Sequence, residues 1–140
     1  MQNMQQIMDF FVENDLFARH CGVELIALQS GHAKAKMEVK PFHMNGAGTV
    51  QGGAIFTLAD FTFAAAVNSR GRLSMAINTS LTFLKPTLGG TLYAEAEELS
   101  ISHKLGYYQI NITDQEQQLV ASFQGTAYRK QKPVLTDKIA

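Results

Sequence analysis

The chain has little that would tie it to a charged partner, a membrane or a metal. Its 140 residues carry 12 Lys and Arg against 12 Asp and Glu, a formal net charge of zero. The basic residues are scattered, so nothing favours nucleic acid or an anionic membrane surface. There is one cysteine, Cys21. It cannot form an internal disulfide, and Arg19-His20-Cys21-Gly22 has no catalytic pattern around it. That predicts a small core residue and a reducing, cytoplasmic setting. The apolar stretch Ala54–Val67 is too short to span a bilayer and has an acid at its centre. The start, M-Q-N-M-Q-Q-I-M-D-F-F, has no positive region and no long apolar run, so no signal peptide is expected. The four histidines, at positions 20, 32, 43 and 103, have no ligand spacing, so no metal is expected. No Walker or dinucleotide loop is present, because the glycines lack a preceding strand and a following Lys or acidic partner. No internal repeat or linker divides residues 1–140, which make one domain. With 46% hydrophobic and 17% charged residues, that domain has a large buried fraction and apolar surface to spare for a subunit interface.

What is present is concentrated between His43 and Arg70. The first half of this stretch holds Gly46, Gly48, Gly52 and Gly53 and reads as a sharply bending loop whose backbone other groups can approach. The second half, Ala54–Val67, is apolar at eleven of fourteen positions. It is Ala-rich, has no Pro or Gly, and is apolar nearly all round, which predicts a buried helix. Gly52 and Gly53 stand at its start, where the first N–H groups have no intrahelical partner. Asn68, Ser69 and Gly71 supply the stop. The one formal charge between Lys40 and Arg70 is Asp60. Burying it unpaired would cost several kcal/mol, so it is bonded structurally, protonated or faces a cavity as a base or nucleophile.

The rest of the chain surrounds that helix. Met4, Ile7, Met8, Phe11, Val12, Leu16 and Phe17 repeat at three and four, predicting an amphipathic helical segment over about 1–20, broken near Asn14-Asp15. Val23–Leu28 and Ala33–Lys40 flank Ser30-Gly31 and make a hairpin, with Ala33, Ala35, Met37 and Val39 inward. Beyond the helix, strands are expected over Met75–Leu84, Thr91–Ser102, Tyr107–Thr113 and Leu119–Tyr128, with a turn at His103–Gly106. This order, hairpin, buried helix and antiparallel meander, is α+β: one sheet of five to six strands curled around one long central helix. A polar tail over about 130–140, with Pro133 in it, is expected to fray.

Specific residues carry a family resemblance. The run from His43 through Asn45, Gly48, Gln51, Gly52 and Gly53 to Thr57-Leu58-Ala59-Asp60 resembles the signature of the hotdog-fold acyl-CoA thioesterases, in the PaaI-like branch. Ala76–Pro86 is similar to that family's central strand and Leu119–Tyr128 to its last strand. Together these cover about Phe42 to Arg129. One position departs, because the family has His-Gly-Gly where this chain has Gln51-Gly52-Gly53.

The resemblance implies hydrolysis of an acyl or aryl-acyl thioester. Such a reaction needs a polarised carbonyl, which N–H groups at Gly52 and Gly53 can supply, and an attacking water or carboxylate, which Asp60 can supply. Asn45 matches the residue that orients the thioester or the water; a local turn bond is the alternative. His43 belongs to the same motif and ranks below it as a substrate contact, since a loop His is more often structural. Gln51 keeps hydrogen bonding but carries no proton or charge, or else it only caps the helix. The thioester carrier is coenzyme A or an acyl carrier protein, part of the substrate, with no cofactor. Lys85, Lys104, Arg129 and Lys130 at strand ends are candidates for its phosphates, against plain solvated charges. Phe56, Phe61 and Phe63 are available to line the acyl pocket, against plain core. The eight positions from Gly52 to Asp60 span about 12 Å of helix, too far for one chain to complete the site, so a homodimer with a shared site is expected; the resemblance implies that such dimers pair again into a homotetramer. Two alternatives belong to the same fold. A non-catalytic acyl-CoA binding module would lack the acid or carry a further domain. A dehydratase or hydratase would want a His paired with an acid.

Overall fold

The computed structural model describes residues 3–135. Helix α1, Met4–Asn14, begins at Asn3, whose side chain accepts the Gln6 N–H at 2.8 Å. Asp15 ends it and caps α2, Leu16–His20, by accepting the Ala18 N–H at 3.1 Å. One short acidic side chain therefore makes the break expected near Asn14-Asp15. Ile7 and Phe11 are the buried side of α1. Strand β1, Val23–Gln29, and strand β2, His32–Glu38, form the expected antiparallel hairpin around Gly31, which sits at φ +75°. The alternation read in β2 holds, since Ala33, Ala35 and Met37 are fully buried while Lys34 is exposed.

A single turn at Pro41–His43 leads through the glycine loop into helix α3, Gly52–Asn68. Leu58, Ala59, Ala65 and Ala66 are fully buried. Around α3 runs one sheet with β3, Arg72–Phe83; β4, Thr91–Ile101; β5, Leu105–Thr113; and β6, Leu119–Pro133. The strand order is β1-β2-β4-β5-β6-β3 and each neighbouring pair is antiparallel. This is the hotdog arrangement of six strands about a central helix. Gly125 of β6 lets the helix come close: a Cβ there would sit 2.7 Å from the Phe63 ring. Phe63 packs between Tyr108 and Phe123, both with ring centroids 5.8 Å away. Truncating a buried Phe of this kind to Ala costs about 3–5 kcal/mol. The far end of α3 is tied to β4, where Arg70 makes a two-pronged pair with Glu98, at 2.7 and 2.9 Å, and the Tyr108 hydroxyl donates to the same carboxylate.

Three features differ from the sequence reading. The strand after α3 does not continue into a meander with β4; it crosses to the far edge and pairs with β6, with Leu81 opposite Phe123. Ala76–Pro86 was expected to be central, yet within one chain it forms the open edge of the sheet. The polar tail begins later than expected, because β6 runs to Pro133 opposite Arg72 and Val134 is 1% exposed. Residues 136–140 of that tail, and 1–2 of the first helical segment, lie outside the described residues. Gly106, read as part of a turn, lies inside β5, where a Cβ would meet Val67 at 3.1 Å. Its role is close packing rather than bending. Among the described residues no helix is long and apolar enough to cross a membrane.

Candidate active site

The start of α3 leaves one backbone donor open. Gln51 is the N-cap, and its side-chain carbonyl accepts the Gly53 N–H. Its backbone carbonyl accepts the N–H groups of Ala54 at 2.9 Å and Ile55 at 3.4 Å. The Ile55 bond is the first regular helix bond; of the four N–H groups that a helix start leaves orphaned, those of Gly53, Ala54 and Gln51, the last donating to the His43 carbonyl at 2.8 Å, are occupied. The fourth, on Gly52, has no partner among the described residues. The macrodipole adds partial positive charge at this point. With its side-chain oxygen held by Gly53, Gln51 keeps an amide nitrogen, a pure donor, that makes no hydrogen bond among the described residues.

The loop before the helix is held by its own side chains. The Asn45 amide donates to Thr49 Oγ1 at 2.8 Å, and its oxygen accepts the N–H groups of Ala47 at 2.9 Å and Thr49 at 3.1 Å. The local turn bond is therefore real, and it fixes a residue that also borders the cavity described next. His43 is 3% exposed. Its Nδ1 accepts the Lys40 N–H at 2.8 Å, which puts the proton on Nε2, and Nε2 donates to the Cys21 carbonyl at 2.7 Å. Both ring nitrogens are engaged, so His43 fastens the loop to the start of β1. Cys21 is buried, and burial pushes its thiol pKa up, in keeping with the core role expected.

Gly52 opens onto a cavity of about 440 Å³ between the glycine loop and the β3–β4 connection. Val50, Ile55, Phe83, Leu84 and Pro86 give it an apolar wall. Phe83 lies so close that a Cβ on Gly52 would be 2.9 Å from its Cζ. Lys85 stands at the rim and donates to Asp114 at 2.7 Å and to Gln118. That bond holds the Asp114 carboxyl below the usual carboxylate range. Thr87 also lines the cavity, with a buried hydroxyl that has no partner among the described residues. Leaving such a group unpaired costs about 1–3 kcal/mol.

Asp60 is not in this cavity. It sits eight residues along α3, about 12 Å up the axis at 1.5 Å per residue. It is half-buried, and its carboxylate makes no hydrogen bond or ion pair among the described residues. Burial raises its pKa, and the negative charge of Asp15 adds to the rise. Of the other candidates, Phe56 is 36% exposed and packs edge-on to Phe123 at 5.6 Å, whereas Phe61 and Phe63 are core. Lys104 is on the β4–β5 turn and does not border the cavity. One chain thus brings together Gly52, Asn45 and Lys85, with Gln51 and Gly53 next to them, and leaves Asp60 apart. The sequence reading missed Thr49, Phe83, Leu84 and Thr87. The last three come from about thirty residues beyond Gly52 and carry no local signal.

A central helix wrapped by an antiparallel sheet, with an open donor at the helix start, is a hotdog fold able to polarise a thioester carbonyl. Residues 47–121 match the family described as the thioesterase superfamily, and the chain belongs to it. Over 118 residues it is 37% identical to the acyl-coenzyme A thioesterase PaaI of Escherichia coli K12, covering 84% of each chain. Over 129 residues it is 36% identical to an Archaeoglobus fulgidus protein provisionally named an esterase, covering 91% of this chain and 84% of that one. The solved structure of E. coli PaaI, from the phenylacetic acid degradation operon, superposes with a TM-score of 0.89 at 34% identity, covering 93% of this chain and 95% of that one.

Proposed function

We propose that this enzyme hydrolyses acyl-coenzyme A thioesters to the free acid and coenzyme A. The observation that carries the reading is the unpaired Gly52 N–H opening into an apolar cavity of acyl-group size. The thioester carbonyl oxygen accepts from Gly52, and the Gln51 amide is the second donor. A water oxygen attacks the carbonyl carbon while Asp60 takes its proton. The carbonyl electrons move onto oxygen and are stabilised by the helix start. When they return, the C–S bond breaks and the proton held by Asp60 passes to the coenzyme A sulfur. A carboxylate whose pKa is raised is the stronger base, which favours general-base work over direct attack. Asn45 and His43 hold the loop, and Lys85 stands where the carrier's phosphates would approach. These groups suffice without a resident cofactor, with coenzyme A entering as part of the substrate.

The acid comes from a second chain. The outer edge of β3 has no strand partner among the described residues. Met75, Ile77 and Phe83 on it are 56%, 62% and 55% exposed, more apolar surface than an edge strand normally leaves open. A two-fold axis normal to the sheet at that edge pairs β3 with its copy and lays the two α3 helices antiparallel. The Gly52 end of one helix then meets Asp60 of the other, completing two identical sites per homodimer. Two such dimers associate into the tetramer. A reducing cytoplasm suits the single buried Cys21.

The test is release of coenzyme A, followed with a thiol reagent, from a panel running from phenylacetyl to medium-chain aliphatic thioesters. Turnover on at least one of them, at about 1 s⁻¹ or faster, is expected. No release from any of them would overturn the reading.

A further inference from the structure

We infer that a second cavity, lined by Arg70 and Arg129 at the far end of α3, binds a phosphate group carried on a small organic molecule. This cavity lies between α1, the β1–β2 turn and the end of α3, and holds about 540 Å³, a size common among small-molecule sites. It shares no residue with the Gly52 cavity. Ser69, which caps α3 and borders it, is nine residues beyond Asp60, about 13–14 Å along the axis at 1.5 Å per residue. Such a site goes beyond the hydrolase reading, and binding alone tests it.

Three guanidiniums gather here around one carboxylate. Arg70 forms the two-pronged pair with Glu98, yet its side chain stays 36% exposed. Arg72 donates only to backbone, from Nε to the Lys130 carbonyl at 2.9 Å and from Nη2 to that of Arg129 at 2.8 Å. Arg129 donates from Nη1 to the Ser102 carbonyl, and its Nε is buried with no partner among the described residues. Neither Arg72 nor Arg129 makes an ion pair among those residues. Burial, then the charges of Arg72 and Arg70, lower the Arg129 pKa from its ordinary value. A guanidinium does not relieve such crowding by losing its proton. Two positive charges therefore stand uncompensated, and Arg129 carries one of them to the wall of an open cavity. A phosphate ester, with a charge of about −1.5 to −2 near pH 7, balances both and accepts from guanidinium forks. A carboxylate would balance only one. Ser30 at the exposed rim adds a hydroxyl, while Met4 and Ile7 offer an apolar side to the organic part.

Two sources carry this group: coenzyme A itself and a separate phosphate ester. Calorimetry on the full chain uses inorganic phosphate, glucose 6-phosphate, coenzyme A and pantetheine, at matched ionic strength. Inorganic phosphate is expected to bind, and to raise Tm by about 2–4 °C over chloride. Arg129→Gln should weaken its Kd at least about tenfold, and Arg129→Lys, which keeps the charge, should restore part of the loss. Ser30→Phe changes an exposed turn position, fills the cavity and should weaken phosphate as well, so the test survives an Arg129→Gln protein that fails to fold. Where coenzyme A is the source, Arg129→Gln weakens coenzyme A and leaves pantetheine unchanged. Where a separate ester is the source, it weakens glucose 6-phosphate and leaves coenzyme A unchanged. Coenzyme A release is not a readout here, so failure of the hydrolase reading is seen separately. Two results would overturn the inference: no binding of inorganic phosphate by the wild type, or the wild-type Kd in folded Arg129→Gln and Ser30→Phe proteins.

Discussion

Gly52→Pro removes the one open donor of the helix start and little else. Proline is well tolerated at the first helical position, where its missing N–H costs no helix bond. It also requires an extended residue before it, and Gln51 already has φ −63° and ψ 134°. The cost is steric, since a Cβ at position 52 lies 2.9 Å from Phe83 Cζ. Phe83 is 55% exposed, so its ring can swing outward. Gly52→Ala imposes the same Cβ and keeps the N–H, which makes it the matched control. Loss of one oxyanion donor typically costs about a hundred- to a thousandfold in kcat, or about 2.7–4 kcal/mol. Gly52→Pro should therefore be slower than Gly52→Ala by about a hundredfold in coenzyme A release, with similar far-UV circular dichroism. A difference below about tenfold between the two folded variants would refute the oxyanion role of Gly52.

Asp60→Asn should lose at least about a hundredfold in turnover, which the same assay reads. It should also be more stable at neutral pH. Asp60 binds its proton more tightly folded than unfolded, so stability falls as pH rises from the ordinary carboxylate pKa through the raised one. If removing the charge is worth about 1 kcal/mol, Tm rises by about 2–4 °C near pH 7, and the gain shrinks as pH is lowered toward 4. An Asp60→Asn Tm at or below wild type at neutral pH would contradict a half-buried, unpaired carboxylate. Gln51→His should add a titration near pH 6.5, the ordinary histidine value of about 6.5, to the rate profile. Identical profiles for the two proteins would show that residue 51 does not act electrostatically on the site. Asn45→Ala deletes three loop bonds and should cost about 1–3 kcal/mol by urea unfolding. Wild-type stability would show that Asn45 does not hold the loop.

Much of the fold was readable because its signals are local. The apolar, Ala-rich composition of Ala54–Val67 marks α3, the strict alternation of Ala33, Ala35 and Met37 marks β2, and Asp15 marks a helix break by its capping chemistry. Pairing across the sheet was not local. β3 meets β6 about forty to sixty residues away, and nothing in Met75–Leu84 says that its partner is Phe123 rather than a residue of β4. The open edge did leave a trace, in apolar residues at consecutive positions Phe83 and Leu84 and at Met75 and Ile77, which a strand covered on one face does not need. The site divides the same way. Gly52, Asn45, Gln51 and Asp60 stand out by type within one motif. What each side chain does with its hydrogen bonds depends on geometry: a Gln51 cap and an Asn45 turn bond were alternatives in the sequence, and only the fold selects them and adds the His43 link to Cys21. Thr87 and Phe83 reach the cavity through the return of a distant loop. Asp15 bears on the Asp60 pKa through space, from a helix cap forty-five residues earlier.

The central claim is that each site joins Gly52 of one chain to Asp60 of another. Gly52→Pro and Asp60→Asn chains, each nearly inactive alone, can be unfolded together in equal amounts and refolded. Random pairing makes about half of the dimers mixed, and each mixed dimer holds one site with both groups intact and one with neither. Coenzyme A release should return to about a quarter of wild type if the sites act independently. No recovery in a sample shown by native mass spectrometry to contain mixed dimers would place both groups in a single chain's site and contradict the account.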